Sequence, residues 1–130
     1  MSVEALLARG RAASERLMVD ACVIRRKTGE TTDEQTGVIT PVYATLYTGK
    51  CRVQQAGGAT PAEAGEAYRL MLRLEVQVPM SIVGLEVGDE VELTSSPLDP
   101  DLVGRTFFVR DLAHKTHATA RRVGVEEATS

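Results

Sequence analysis

The residue types from which chemical sites are built occur in this chain in small, separate groups. His114 and His117 stand three apart in H-K-T-H. A zinc ion takes four ligands, chiefly Cys and His, and the two thiols, Cys22 and Cys51, lie far from the histidines in sequence. The pair therefore reads as part of a polar loop. Ser95-Ser96 is followed by Pro97 and lacks the strand-turn-helix setting that exposes a nucleophilic serine. Gly57-Gly58 belongs to no G-x-x-x-x-G-K phosphate cradle. Asp33 and Glu34 sit between Gly29 and Gly37, but the D-x-[DN]-x-[DN]-G spacing of a calcium loop is missing, which favours a solvated turn. Alternation places Glu90 and Glu92 on the outer face of a strand. These residues predict no enzyme, no cofactor and no metal.

Charge is distributed in blocks. Glu86, Asp89, Glu90, Glu92, Asp99 and Asp101 follow one another with no Lys or Arg between them, whereas Arg105, Arg110, Lys115, Arg121 and Arg122 face only Asp111. Such blocks form either a solvated surface or a contact in which neighbouring subunits of a ring present opposite signs, fixing register and partner. The second reading makes Glu86, Asp89, Glu90, Glu92, Arg105, Arg110, Arg121 and Arg122 candidate subunit-interface residues. The net charge of -3 and a pI of about 5.4 argue against a free-standing nucleic-acid binder, which depends on neutralising phosphates.

The elements that must position these residues follow from periodicity. One domain accommodates 130 residues. Residues 1–18 read as a helix, with Ser2 as its cap and an apolar stripe of Val3, Leu6, Leu7, Gly10, Ala13 and Leu17 to be buried on the barrel or a partner. A strand over residues 20–25 leads to a hairpin loop over 28–37. Short strands then follow at 38–40, at 42–47 after the interruption by Pro41, and at 51–54 after a Thr48-Gly49-Lys50 turn. The clearest strand is 69–78, with Leu70, Leu72, Leu74, Val76 and Val78 on one face and Arg69, Arg73, Glu75 and Gln77 on the other, only Met71 breaking the polar side. Val91 with Leu93, Phe107 with Val109, and Val123 with Val125 repeat the period of two. A closed antiparallel barrel removes the exposed edges of such strands.

The fold class predicted is thus all-β: a small antiparallel barrel of six to seven strands over residues 19–126, one N-terminal helix, a long mobile loop at 54–67 and a tail at 127–130. Aromatic residues make up only 4%, with no Trp, so the core must rest on Val, Leu, Ile and Ala. The cysteines read as buried free thiols. No apolar run approaches the roughly 20 residues of a membrane span, and no signal peptide is read, so a soluble protein is expected.

The motifs G-D-x-V-x-L, G-R-x-F-x-V-R-D, H-x-T-x-A and a closing R-R-V-x-V-E, with R-G-R-A-A-S-E-R-L-M, I-R-R-K-T-G-E-T-T-D-E-Q-T-G and Y-T-G-K-C-R-V-Q nearer the front, resemble the head-to-tail connector proteins of tailed bacteriophages. The similarity is to the stopper, or head-completion, type of actinobacterial phages. It implies a structural virion protein at the head-tail interface, present in host cytoplasm during assembly. It further implies a homo-oligomeric ring, typically of six, between the portal and adaptor on one side and the tail terminator and tube on the other. Such a ring retains packaged double-stranded DNA without sequence preference and docks the tail. The family's channel loop would correspond, by position between strands, to a segment with Gln54, Gln55, Gly57, Gly58, Thr60, Pro61, Glu63 and Glu66. Two alternatives stand beside this. Another connector component, an adaptor or tail terminator, should be more helical. A small-barrel nucleic-acid-binding module should stack bases on a basic aromatic face, and only Tyr43, Tyr47, Tyr68, Phe107 and Phe108 are available.

Overall fold

The computed structural model describes residues 2–56 and 73–128. Among them, a helix α1 (Val3–Arg16) precedes six strands: β1 (Asp20–Thr32), β2 (Ile39–Ala56), β3 (Arg73–Val78), β4 (Glu90–Ser95), β5 (Thr106–Ala113) and β6 (Arg121–Glu127). The strands close in the order β1-β2-β3-β6-β5-β4, and every neighbouring pair is antiparallel. The β1–β4 seam completes the barrel, so the wall has no free edge.

Inside, the alternating residues meet. Cys22 and Ile24 of β1, Cys51 of β2, Val76 and Val78 of β3, Val91 and Leu93 of β4, Phe107 and Val109 of β5, and Val123 and Val125 of β6 form one buried cluster, with Leu85 beside it. Apart from Phe107 these side chains are short, as the narrow interior of a six-stranded barrel requires. Ser2 caps α1 by accepting the Ala5 N–H at 3.1 Å.

The structure departs from the sequence reading in three places. The short strands and turns expected over 38–54 are one 18-residue strand, β2, and β1 extends through the expected loop to Thr32. The connection shrinks to residues 33–38, closed by the Asp33 N–H donating to Val38 O at 2.9 Å and by Gly37 at φ 72°. Pro41 does not break the strand. It pairs with Glu30 where the β1–β2 ribbon has no third strand, and a ribbon edge needs no N–H there. Gly49 is a strand residue rather than a turn, and its bare Cα is filled by the Tyr47 ring, since a Cβ would meet the Tyr47 hydroxyl at 2.7 Å.

The second departure is α1, whose apolar stripe is not buried on the barrel, the first of the two places expected for it. Leu7 and Gly10 are half-buried, but Val3, Leu6 and Leu17 are all more than half exposed. Contact with the barrel is made instead by Gly10 against Thr119, by the Arg11 Nε–H donating to Ala118 O at 3.3 Å, and by a Glu15–Lys50 ion pair at 2.8 Å. Third, Gln77 is 3% exposed although it lies on the outer, polar face. Its amide donates to Gln54 Oε1 at 2.6 Å and Glu75 Oε2 at 3.0 Å, so burial there is satisfied by polar neighbours. Of the expected strand 69–78, the described part is β3, which begins at Arg73. Leu70, Met71 and Leu72 lie outside the described residues.

Candidate functional site

The β1–β4 seam organises the acidic block. Register places Arg25 opposite Glu90 and Val23 opposite Glu92. Arg25 donates from Nε to Glu90 Oε2 at 3.0 Å and from Nη2 to Glu90 Oε1 at 3.3 Å, and lies 3.7 Å from Glu92. Arg26 forms a two-point contact with Asp89 at 2.8 and 2.9 Å, reaches Glu86 at 3.1 Å, and donates to Gly84 O at 2.8 Å. Asp89 also accepts the Glu86 N–H at 2.7 Å. Two-point arginine–carboxylate contacts are directional as well as attractive. Hydrogen bonding to the carboxylates holds both guanidinium groups above their ordinary pKa, Arg25 through Glu90 and Arg26 through Asp89.

Asp89 is 2% exposed, so it is an internal counter-charge of Arg26 rather than a surface interface charge. Glu90 and Glu92 are likewise engaged by Arg25 within the chain. Of the basic candidates, Arg105 pairs with Asp101 at 2.9 Å and with Glu127 at 2.5 Å. Arg110 is 3.5 Å from Glu126, and Arg122 is 3.7 Å from Glu75. Arg121 donates to Ile82 O at 3.0 Å and Met80 O at 3.4 Å, holding the β3–β4 loop. The acidic block and the basic block thus find most of their partners elsewhere in the same copy. The residues the sequence reading missed are Arg25 and Arg26. The I-R-R-K motif contains them, but only the strand register shows that they reach Glu90 and Asp89.

The expected channel segment divides. Gln54 and Gln55 are not loop residues: they belong to β2 and pair with Glu75 and Leu74. Gly57, Gly58, Thr60, Pro61, Glu63 and Glu66 lie outside the described residues.

Beyond the seam, β1 and β2 continue as a two-stranded ribbon in which residues 27–46 are all exposed. Val38, Ile39, Val42, Tyr43 and Leu46 contribute apolar surface to it. Two bulges, between Ile24 and Arg25 and between Lys27 and Gly29, set its twist near the root. Arg25 lies over the Tyr43 ring at 5.3 Å, a cation–π contact that helps fix the ribbon to the wall. At the tip the Asp33 carboxylate accepts the N–H groups of Gln35 at 2.8 Å and Thr36 at 3.4 Å, which holds its pKa below the ordinary value.

In the core, Cys22 and Cys51 are free and fully buried. A hydrogen bond with Cys22, and then burial, push the Cys51 thiol pKa upward. Tyr47 is pushed up to about 12, first by burial and then by the nearby thiols, and its hydroxyl donates to Lys50 O at 2.7 Å. Among the described residues no group of three or more His, Cys, Asp or Glu is arranged to hold a metal ion. Nor is any helix among them long and apolar enough to cross a membrane.

The fold is thus a closed six-stranded barrel from which an exposed apolar ribbon projects, with a helix that buries no residue. The chain belongs to a family described as a family of unknown function (DUF6093), which matches residues 10–126. No curated protein and no solved structure matches it.

Proposed function

We propose that this chain is a structural subunit of a bacteriophage head-to-tail connector, of the stopper type. It would assemble as a ring between portal and adaptor on one side and tail on the other, retaining packaged DNA and docking the tail in the virion. The observation that carries this reading is the apolar surface the fold leaves uncovered while its barrel core is complete. Val3 and Leu6 on α1, Leu17 at its end, and Val38, Ile39 and Tyr43 on the ribbon are 44–59% exposed, and exposed apolar surface of this kind is what interaction sites are made from. The motif resemblance supplies the assembly in which such surfaces would be used.

The nucleic-acid module is disfavoured by charge. Phe108 is exposed, but register places it between Glu90 and Glu126, whose ion pairs with Arg25 and Arg110 leave no basic surplus there to neutralise a phosphate backbone. Class-averaged electron micrographs of the purified full chain, alone and bound to tail-less heads, test the proposal. Closed rings at the head vertex, with DNA lost from heads that lack the protein, are the expected result. A chain that never joins the vertex overturns it.

A further inference from the structure

Two surfaces of the chain are apolar and exposed, and they lie at opposite ends of β1. The first is the ribbon tip. Among the described residues, β4 takes up β1 only over residues 21–25 and β3 takes up β2 only over residues 52–56, so the ribbon beyond them pairs there with itself alone. At roughly 3.3 Å per residue, six to seven residues carry the tip about 20 Å beyond the wall. A two-stranded ribbon is of marginal stability alone in water, yet this one displays Val38 at 57% and Ile39 at 59% exposure. No Lys or Arg occurs in residues 28–49; Glu30 is paired with Lys27 at 2.7 Å, which leaves Asp33 and Glu34 as the carboxylates of the turn. The tip is therefore apolar and negative.

The second surface is a groove of about 370 Å³ between the end of α1 and the β4–β5 loop. Leu17, Val19 and Leu98 line it and are 56%, 48% and 83% exposed. Arg16 and Arg52 also line it, and neither makes an ion pair among the described residues. Of the groove's two carboxylates, Asp20 is 8% exposed and Asp99 accepts the Asp101 N–H. Ser96 lines the same groove, is 4% exposed, and its Oγ has no hydrogen-bond partner. A buried hydroxyl without a partner is uncommon and calls for an explanation.

We propose that the ribbon tip of one copy seats in this groove of the next copy. Val38 and Ile39 would cover Leu17, Val19 and Leu98, the tip carboxylates would face Arg16 and Arg52, and a polar group of the 33–38 turn would meet Ser96 Oγ. The two surfaces differ and sit at opposite ends of one strand, so the contact is head-to-tail and either closes into a ring or runs on as a filament. The inference rests on the connector reading only in that the series closes.

Sedimentation velocity on the full chain tests it with two variants at exposed positions. Val38→Glu/Ile39→Glu spoils the tip and Leu17→Glu/Leu98→Glu spoils the groove, and thermal melts equal to wild type check that each is folded. Wild type should form multimers and each variant alone should remain monomeric. An equimolar mixture should form dimers and nothing larger, because each variant keeps one working surface. Glu34→Lys, at a position outside the turn's hydrogen bonds, should weaken association about tenfold through lost attraction to Arg16 and Arg52. A monomeric wild type, a mixture without dimers, or a tip variant that assembles like wild type overturns the contact. Rings that persist in the tip variant remove this contact and leave the connector reading standing. Open filaments that never close, lost in either variant, remove the ring and leave the contact.

Discussion

Phe107 and Phe108 are adjacent on β5, but the pleat sends one into the barrel and the other out of it. Phe107 is 1% exposed and is the largest fully buried side chain among the described residues, while Phe108 is 43% exposed. Phe107→Ala deletes a ring from a core otherwise built of Val, Cys, Ile and Leu, whose short side chains on a closed wall cannot collapse into the gap. Phe-to-Ala changes in cores cost about 3–5 kcal/mol, and the rigid wall places this one at the upper end. Total stability for a domain is about 5–15 kcal/mol, so a third or more of it should disappear. Phe108→Ala removes only half-exposed area and should cost about 1 kcal/mol or less. Urea unfolding followed by far-ultraviolet circular dichroism measures both with the same slope and different midpoints. Equal midpoints would refute the facing of β5, and with it the assignment of Val91, Val109 and Val123 to one interior.

Other consequences can be measured separately. Because Cys51 and Tyr47 hold their protons more tightly folded than unfolded, their contribution is complete below their ordinary values of 9.0 and 10.0 and declines above them, for Tyr47 up to about 12. Stability should therefore fall as pH rises above about 9, with a shallower fall in Cys51→Ala; melting curves of the two proteins from pH 7 to 11 show it. Arg26→Met leaves Asp89 buried without its cation and should lower the melting temperature, whereas Arg110→Met, at a loose exposed pair, should not; an equal effect would contradict the burial of Asp89. Asp33 has a depressed pKa, so its support of the turn is present above the ordinary value of 3.8 and lost as pH falls through the folded value. Hydrogen exchange at Gln35 and Thr36 should therefore quicken, relative to the barrel, on acidification or in Asp33→Ala.

What could be read in the sequence was what one-sided burial imprints. β4, β5 and β6 each show two core residues spaced by one outward residue, and Val91 with Leu93, Phe107 with Val109, and Val123 with Val125 all face the interior. The ribbon left no such imprint. Both its faces meet solvent, so its residues alternate toward nothing, and Pro41 and Thr48-Gly49-Lys50 look like breaks. The Arg26–Asp89 pair was illegible for another reason: its members are 63 residues apart, and only the β1–β4 register joins them. In α1 the apolar spacing was present, but spacing does not say whether a partner covers it, and this barrel leaves Val3 and Leu6 bare.

The ribbon's root has a mechanical consequence. Arg25 and Arg26 act as guy lines from the base of a mast, one tied to Glu90 and Glu92 on the wall, the other to Asp89, Glu86 and Gly84 just before it. A sideways load at the tip cannot bend the ribbon at its base without drawing on β4 and the turn ahead of it. A pull along the ribbon draws β1 and β2 together and instead loads the β1–β4 and β2–β3 ladders lengthwise, so that many hydrogen bonds resist together instead of opening one by one. The first part of the wall to feel such a pull is the β1–β4 seam that closes the barrel, because its pairing begins at Arg25, next to the root of the ribbon.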